Sequence, residues 1–153
     1  MPIIFAIVRI RSLIDRNSKI RLTARYLRLT RTNTCTLFPE SPQLKGMLDA
    51  VSTIATFGEI NKETLVELLK KRGRIAGNKP LTLEFINKYG YSSFEQIAEE
   101  IIKTGKFPSF IKPVFRLSPP RKGFKRSLKK FYAEGGELGY RNGDINELIL
   151  RMI

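Results

Sequence analysis

Residues 3–31, IIFAIVRIRSLIDRNSKIRLTARYLRLTR, decide the fold. From Ile3 to Ile10 only Arg9 is polar, which predicts a central strand buried on both faces. Ile4, Ala6, Val8 and Ile10 keep one face apolar. On the other, Ile3, Phe5 and Ile7 give way to Arg9 and Arg11, so that face is expected to meet water or an anion at the strand's end. Asn17 or Ser18 can cap a helix running to about Leu29. At about 100° per residue, Arg21, Arg25 and Arg28 fall in one stripe, between Ile20, Ala24 and Leu27 on one side and Leu22, Tyr26 and Leu29 on the other. Guanidinium groups offer bidentate donors and keep their charge, so stripe and strand end together read as a platform for phosphates.

Downstream, Thr34 to Phe38 reads as a second strand closed by Pro39, and Ser41-Pro42 as a helix start. Leu44, Met47, Leu48 and Val51 give that helix its core face, and Ile54 to Phe57 a third strand ended by Gly58. The first sixty residues thus predict an α+β domain of order β-α-β-α-β, its helices on one face of a small sheet. Residues 61–153 change texture to helices and loops. Helices are expected from an Asn61 cap through Arg72, over Leu83 to Tyr89, after a Ser92/Glu95 capping box, and after Asp144/Glu147. Between them come a loop over 73–80, a short strand over Val114 to Leu117 and a basic loop over 118–126. Gly135, Gly136, Gly139 and Gly143 read as turns needing positive φ.

Composition narrows the function. Twenty-eight Lys and Arg oppose 14 Asp and Glu, a formal charge of +14. The charge is clustered: residues 9–31 hold eight basic groups against Asp15 alone, and residues 106–131 hold nine with no acid. Two such runs point to a polyanion surface, nucleic acid first. Phe107, Phe110, Phe115, Phe124, Phe131 and Tyr132 lie in or next to the second run, as rings that either stack on bases or anchor the segment to the body.

Other chemistry is poorly supplied. The chain has no histidine, removing the usual general base and commonest metal ligand, and Cys35 is its only cysteine, too few for a zinc site or a disulfide. Gly73, Gly77 and Lys79 do not make a phosphate-binding loop, because the spacing is short and Pro80 replaces the magnesium-binding hydroxyl. Glu99 and Glu100 are helix neighbours that point apart. No secretory signal pattern, membrane-spanning stretch or small-molecule site is expected, and no cofactor or metal.

Several ordered motifs resemble the L30 family of large-subunit ribosomal proteins in its archaeal form, related to eukaryotic L7. The resemblance covers nearly the whole chain. It is carried by Ala6 to Arg11, Leu27-Arg28-Leu29, Asn33 and Cys35, and by Ser41, Pro42, Lys45, Gly46 and Met47. Lys71 to Arg74, Gly77 to Thr82, and Phe115 to Gly123 add to it, as does the ending with Glu134, Gly135, Gly136, Gly139, Arg141, Ile145, Asn146, Leu148, Arg151 and Met152. Thr30 and Thr34 depart from it, standing where some relatives are expected to carry histidine.

The resemblance implies a ferredoxin-like core over 1–60 and an archaeal/eukaryotic-type extension over 61–153 packed on it. It also implies a non-catalytic component of the cytoplasmic ribosome that binds large-subunit ribosomal RNA near the 5S RNA, beside neighbouring ribosomal proteins. The lack of a long basic N-terminal arm points to an archaeal source. Expected RNA-binding residues are Arg9, Arg11, Lys19, Arg21, Arg25, Arg28 and Arg31 of the first run and Lys45 on the second helix. Arg72, Arg74 and Lys79 are expected to extend the surface, with Arg116, Arg121, Lys122, Lys125 and Arg126 in the second run. The rival readings are a free RNA chaperone and an RNA-processing enzyme of ferredoxin-like fold.

Overall fold

The computed structural model describes residues 3–153; residues 1 and 2, which open the expected first domain, lie outside them. Strand β1 (Ile4–Arg9) is buried along its whole length. It pairs antiparallel with β2 (Thr34–Pro39) on one side and with β3 (Ala55–Glu59) on the other. Helix α1 (Ser18–Tyr26) links β1 to β2, and α2 (Pro42–Val51) carries the chain from β2 over β1 to β3. This β-α-β-α-β unit is a ferredoxin-like α+β core.

Alternation along β1 builds two cores. Phe5 and Ile7 join Ala24, Leu27, Leu29, Leu44, Leu48 and Val51 under α1 and α2. Ile4, Ala6 and Val8 face the other way, onto α3 (Lys62–Arg72), α5 (Phe94–Thr104) and α6 (Ile145–Met152), through Leu65, Leu68, Ile97, Ile101, Ile145 and Ile149. A buried side chain of this size contributes roughly 1.5–3 kcal/mol, so both helical layers are held through β1. The sheet also grows at both edges: its order is β6-β2-β1-β3-β8-β7, with β6 (Val114–Arg116) antiparallel to β2, and β8 (Gly136–Tyr140) and β7 (Ser127–Phe131) in parallel pairing beyond β3.

Several elements differ from expectation. Helix α1 stops at Tyr26, three residues short of Leu29. β3 runs through Gly58 to Glu59, still paired with Ala6 and Phe5 of β1; glycine is required at 58 because a Cβ would collide with the Asn142 carbonyl where the chain turns into α6. Residues 73–80 are a hairpin of β4 (Arg74–Ile75) and β5 (Lys79–Pro80) rather than a loop, with Gly77 and Asn78 at positive φ. Helix α4 covers Leu83–Lys88. Helix α5 starts after Ser93, without a side-chain cap bond; the Gln96 side-chain oxygen accepts from the Ser92 N–H instead. Gly135 and Gly139 have positive φ, as turns require, whereas Gly136 and Gly143 do not. At Gly136 a Cβ would strike the Lys130 carbonyl of β7, so glycine there permits strand contact.

Two measurements follow. Gly58→Ala should cost about 1–3 kcal/mol in urea denaturation, since the Asn142 backbone must move. Cys35 is fully buried on β2, and burial pushes its thiol up to about 12 from an ordinary 9.0. A group whose folded value is raised stabilises fully below its ordinary value, so this contribution is lost as pH climbs from about 9 toward 12. The folded protein should leave Ellman's reagent unreacted at neutral pH and yield its single thiol on unfolding.

Candidate nucleic-acid interface

Antiparallel pairing decides where the basic residues go. β1 ends where β2 begins, with Val8 opposite Cys35, and β6 also ends there, with Arg116 opposite Thr34. Arg9 and Arg11, Arg28 and Arg31, and the segment from Arg116 into the basic loop therefore meet at one end of the sheet. Glu40 after β2 and Glu59 at the end of β3 lie at the other.

At the basic end, Asn17 caps α1 by accepting from the Ile20 N–H at 2.9 Å. Arg21 and Arg25, exposed and one turn apart, line a groove of about 400 Å3 with Leu13, Ile14, Leu29 and Thr30. Lys19 is exposed on the same helix. Beyond Tyr26 the helix closes as a Schellman motif: the Leu29 N–H donates to Ala24 O at 2.8 Å and the Arg28 N–H to Arg25 O at 3.0 Å. Burial of Ala24 and Leu29 holds that closure. Arg28 occupies the left-handed position, φ +61°, at a cost of about 1–2 kcal/mol for a residue with a Cβ. It is exposed but leaves the helical stripe expected for it. Leu22 and Tyr26, expected to flank the stripe, are exposed, Tyr26 by 66%.

Arg9 is placed differently from its neighbours. It is 6% exposed, its Nε donates to Arg11 O at 2.9 Å and its Nη1 to Leu29 O at 3.1 Å, and burial lowers its pKa. Its side chain is used to tie the end of β1 to the end of α1. The strand end thus presents half-buried Arg11, with exposed Arg31 before β2.

Arg72, Arg74 and Arg116 come together in a cleft beside β6, with Asn78, Lys112 and Val114. Lys79, exposed on β5, does not line it. The loop over 118–126 is pinned to α6: the Ser118 N–H donates to Met152 O and the Arg121 N–H to Arg151 O, both at 3.0 Å. Arg151 Nη2 returns bonds to the Arg121 and Gly123 carbonyls. Arg121 and Lys122 stay exposed. Lys125 pairs with Glu147 at 3.6 Å, and Arg126 stacks over the Tyr132 ring at 4.6 Å. Lys45 pairs with Glu40 at 3.3 Å, beside a groove of about 460 Å3 that also contains Asp49, Glu59 and Tyr140, away from the arginine cluster. There the Tyr140 hydroxyl donates to Glu59, which pushes the phenol up to about 12.

The aromatic residues divide as well. Phe115 is wholly buried, and Phe107, Phe110 and Phe124 pack against the core, so these four anchor the segment. Phe131 is exposed at the β7 edge. Tyr132 lies under Arg126 and Arg141.

Sequence reading missed the pair that holds β7, β8 and the basic loop together. Arg141 Nη2 donates to Glu137 Oε2 and to Glu137 O, both at 2.6 Å, while its Nε donates to Thr56 Oγ1 at 2.7 Å. Glu137 Oε1 accepts from the Arg126 N–H at 3.0 Å. Both charges are about 5% exposed and paired with each other, so removing one partner would leave an uncompensated charge. An acid four residues before an arginine was the available signal.

Among the described residues no group of three or more His, Cys, Asp or Glu side chains is placed to hold a metal ion. Among the same described residues no helix is long and apolar enough to cross a membrane. A ferredoxin-like scaffold that gathers solvent-facing arginines at one end of its sheet presents a surface chemically suited to a polyanion. Residues 5–53 match the profile of the family described as Ribosomal protein L30p/L7e. The chain is 48% identical over 163 residues to large ribosomal subunit protein uL30 of Staphylothermus marinus, covering 100% of both chains. It is 46% identical over 156 residues to that of Thermofilum pendens (98% and 99% covered) and 45% over 170 residues to that of Caldivirga maquilingensis (99% and 92%). The chain belongs to the L30p/L7e family of ribosomal proteins, whose members are structural proteins and not enzymes.

Arg28→Gly tests the closure of α1: relief of the left-handed strain should raise stability by about 1 kcal/mol in urea denaturation. A loss instead would mean that the Arg28 side chain helps to hold the fold.

Proposed function

We propose that this chain is a structural component of the large ribosomal subunit that holds folded ribosomal RNA through phosphate contacts at the basic end of its sheet. The carrying observation is the convergence there of Arg11, Arg21, Arg25, Arg28 and Arg31 with the start of the basic loop, opposite the end that holds Glu40 and Glu59. The names of the relatives support the ribosomal assignment. Placement near the 5S RNA and beside other ribosomal proteins follows from the family resemblance.

Backbone strain supports the same surface. Among the described residues six non-glycine residues have positive φ; four are Asp or Asn, which tolerate it, and the other two are Arg28 and Lys122. Both are exposed cations at the basic end, and strain retained at such residues favours a role for their side chains in binding. Cations at these positions grip phosphate without reading sequence, and exposed Tyr26 offers a ring to an unstacked base.

The double variant Arg21→Gln/Arg25→Gln should fold with an unchanged unfolding midpoint yet bind large-subunit RNA more weakly. The slope of log K against log salt should fall by roughly 0.7–0.9 for each lost contact. Sedimentation of the tagged chain with large subunits through a moderate-salt wash tests the assignment itself. A chain that remains with the soluble proteins refutes it.

A further inference from the structure

The outer side of edge strand β6 borders a cleft of about 480 Å3 lined by Arg72, Arg74, Asn78, Lys112, Val114 and Arg116. Its four cations come from separate places: the last turn of α3, β4, the turn before β6, and β6 itself. Among the described residues none of the four has a carboxylate within 4.0 Å. Like charges gathered without a counter-charge repel one another, and an anion between them removes that penalty.

The cleft is also built to keep its shape. The Lys112 N–H donates to Arg74 O at 2.9 Å, joining the wall before β6 to the hairpin. The Leu81 N–H donates to Gly73 O at 3.1 Å, and Arg72 Nη2 to Ser118 Oγ at 2.8 Å. Arg74 Nη1 donates to Gly73 O at 3.1 Å. Gly73 separates the two arginines because a Cβ there would press on Leu69 O and the Leu81 side chain. A guanidinium has five N–H donors, so each arginine is oriented by one bond and keeps others for a ligand. Asn78, held at φ +59° in the hairpin turn, adds a side-chain amide.

We propose that this cleft is a receptor for one or two phosphates of an RNA strand turned out of its helical path. The inference rests on the RNA-binding reading above and names the form of RNA taken at this second site. Phosphates of a regular duplex form a convex rail, which grazes a surface like that of α1. Cations converging into a cavity within the size range of small-ligand pockets demand a strand that enters it.

The test compares the full chain, its cleft variant Arg74→Gln/Lys112→Gln and the α1 variant Arg21→Gln/Arg25→Gln. The probes are fluorescein-labelled hexauridylate and a short RNA duplex, read by anisotropy, with equal unfolding midpoints confirming that all three proteins fold. The cleft variant should lose hexauridylate affinity by about tenfold or more while duplex affinity changes by less than about twofold; the α1 variant should show the reverse. Unchanged hexauridylate binding by the cleft variant overturns the proposal, as does an equal loss on both probes. Arg116→Gln repeats the test at an independent wall and should give the same selectivity. Failure of the ribosomal reading looks different: hexauridylate binding through the cleft would persist while the chain was absent from large subunits.

Discussion

Everything in this fold is referred to β1. Its backbone is hydrogen-bonded on both edges, to β2 and β3, and its side chains are divided between two cores. A strand so placed has no freedom of register, because a one-residue slip would exchange Phe5 and Ile7 with Ile4, Ala6 and Val8 and disturb both cores together. The second half of the chain depends on the same strand: α3, α5 and α6 cover the face that α1 and α2 leave bare.

Fixed register is what separates the charges. Two antiparallel pairings, β1 with β2 and β2 with β6, return the chain to the same end of the sheet each time, and the basic residues occupy those returns. Burial decides which of them face solvent. Arg9 and Arg141 are enclosed, and their donors go to backbone carbonyls, Thr56 and Glu137, bonds that answer part of the desolvation of each charge. Arg21, Arg25 and Arg28 keep their hydration and exchange it only for a partner. One residue type thus serves as internal fastener and as external contact, distinguished by enclosure alone.

The central strand, the caps at Asn17, Ser41 and Asn61, and the order of the first five elements were legible because each rests on local periodicity or a short capping signal. The β7–β8 pair was not. SLKKF and GELGY are short, polar or glycine-rich, and their pairing depends on the close approach of Gly136 to Lys130 and on the local Arg141–Glu137 pair, whose further bonds reach Thr56 and the Arg126 N–H. The basic end of the sheet was legible as charge, but placement of individual groups was not, and most rings of the second run proved to be core anchors. Helical spacing could not show that α1 closes at Leu27 and throws Arg28 into a left-handed turn. Alternation along β1 could not show that Arg9 reaches back to Leu29. Lys112 lay within the basic run but carried no signal of its own, since its place in the cleft comes from a backbone bond to Arg74.

The pinning of the basic loop to α6 bears on the order in which the protein matures. Arg151 holds the carbonyls of Arg121 and Gly123 from about thirty positions further along the chain, and the Ser118 N–H waits for Met152 O. During synthesis α1 emerges more than a hundred residues ahead of α6, so its arginines are made early. The loop has no anchor until α6 has emerged. A nascent chain would therefore carry the basic groups of α1 before those of the loop were held in place.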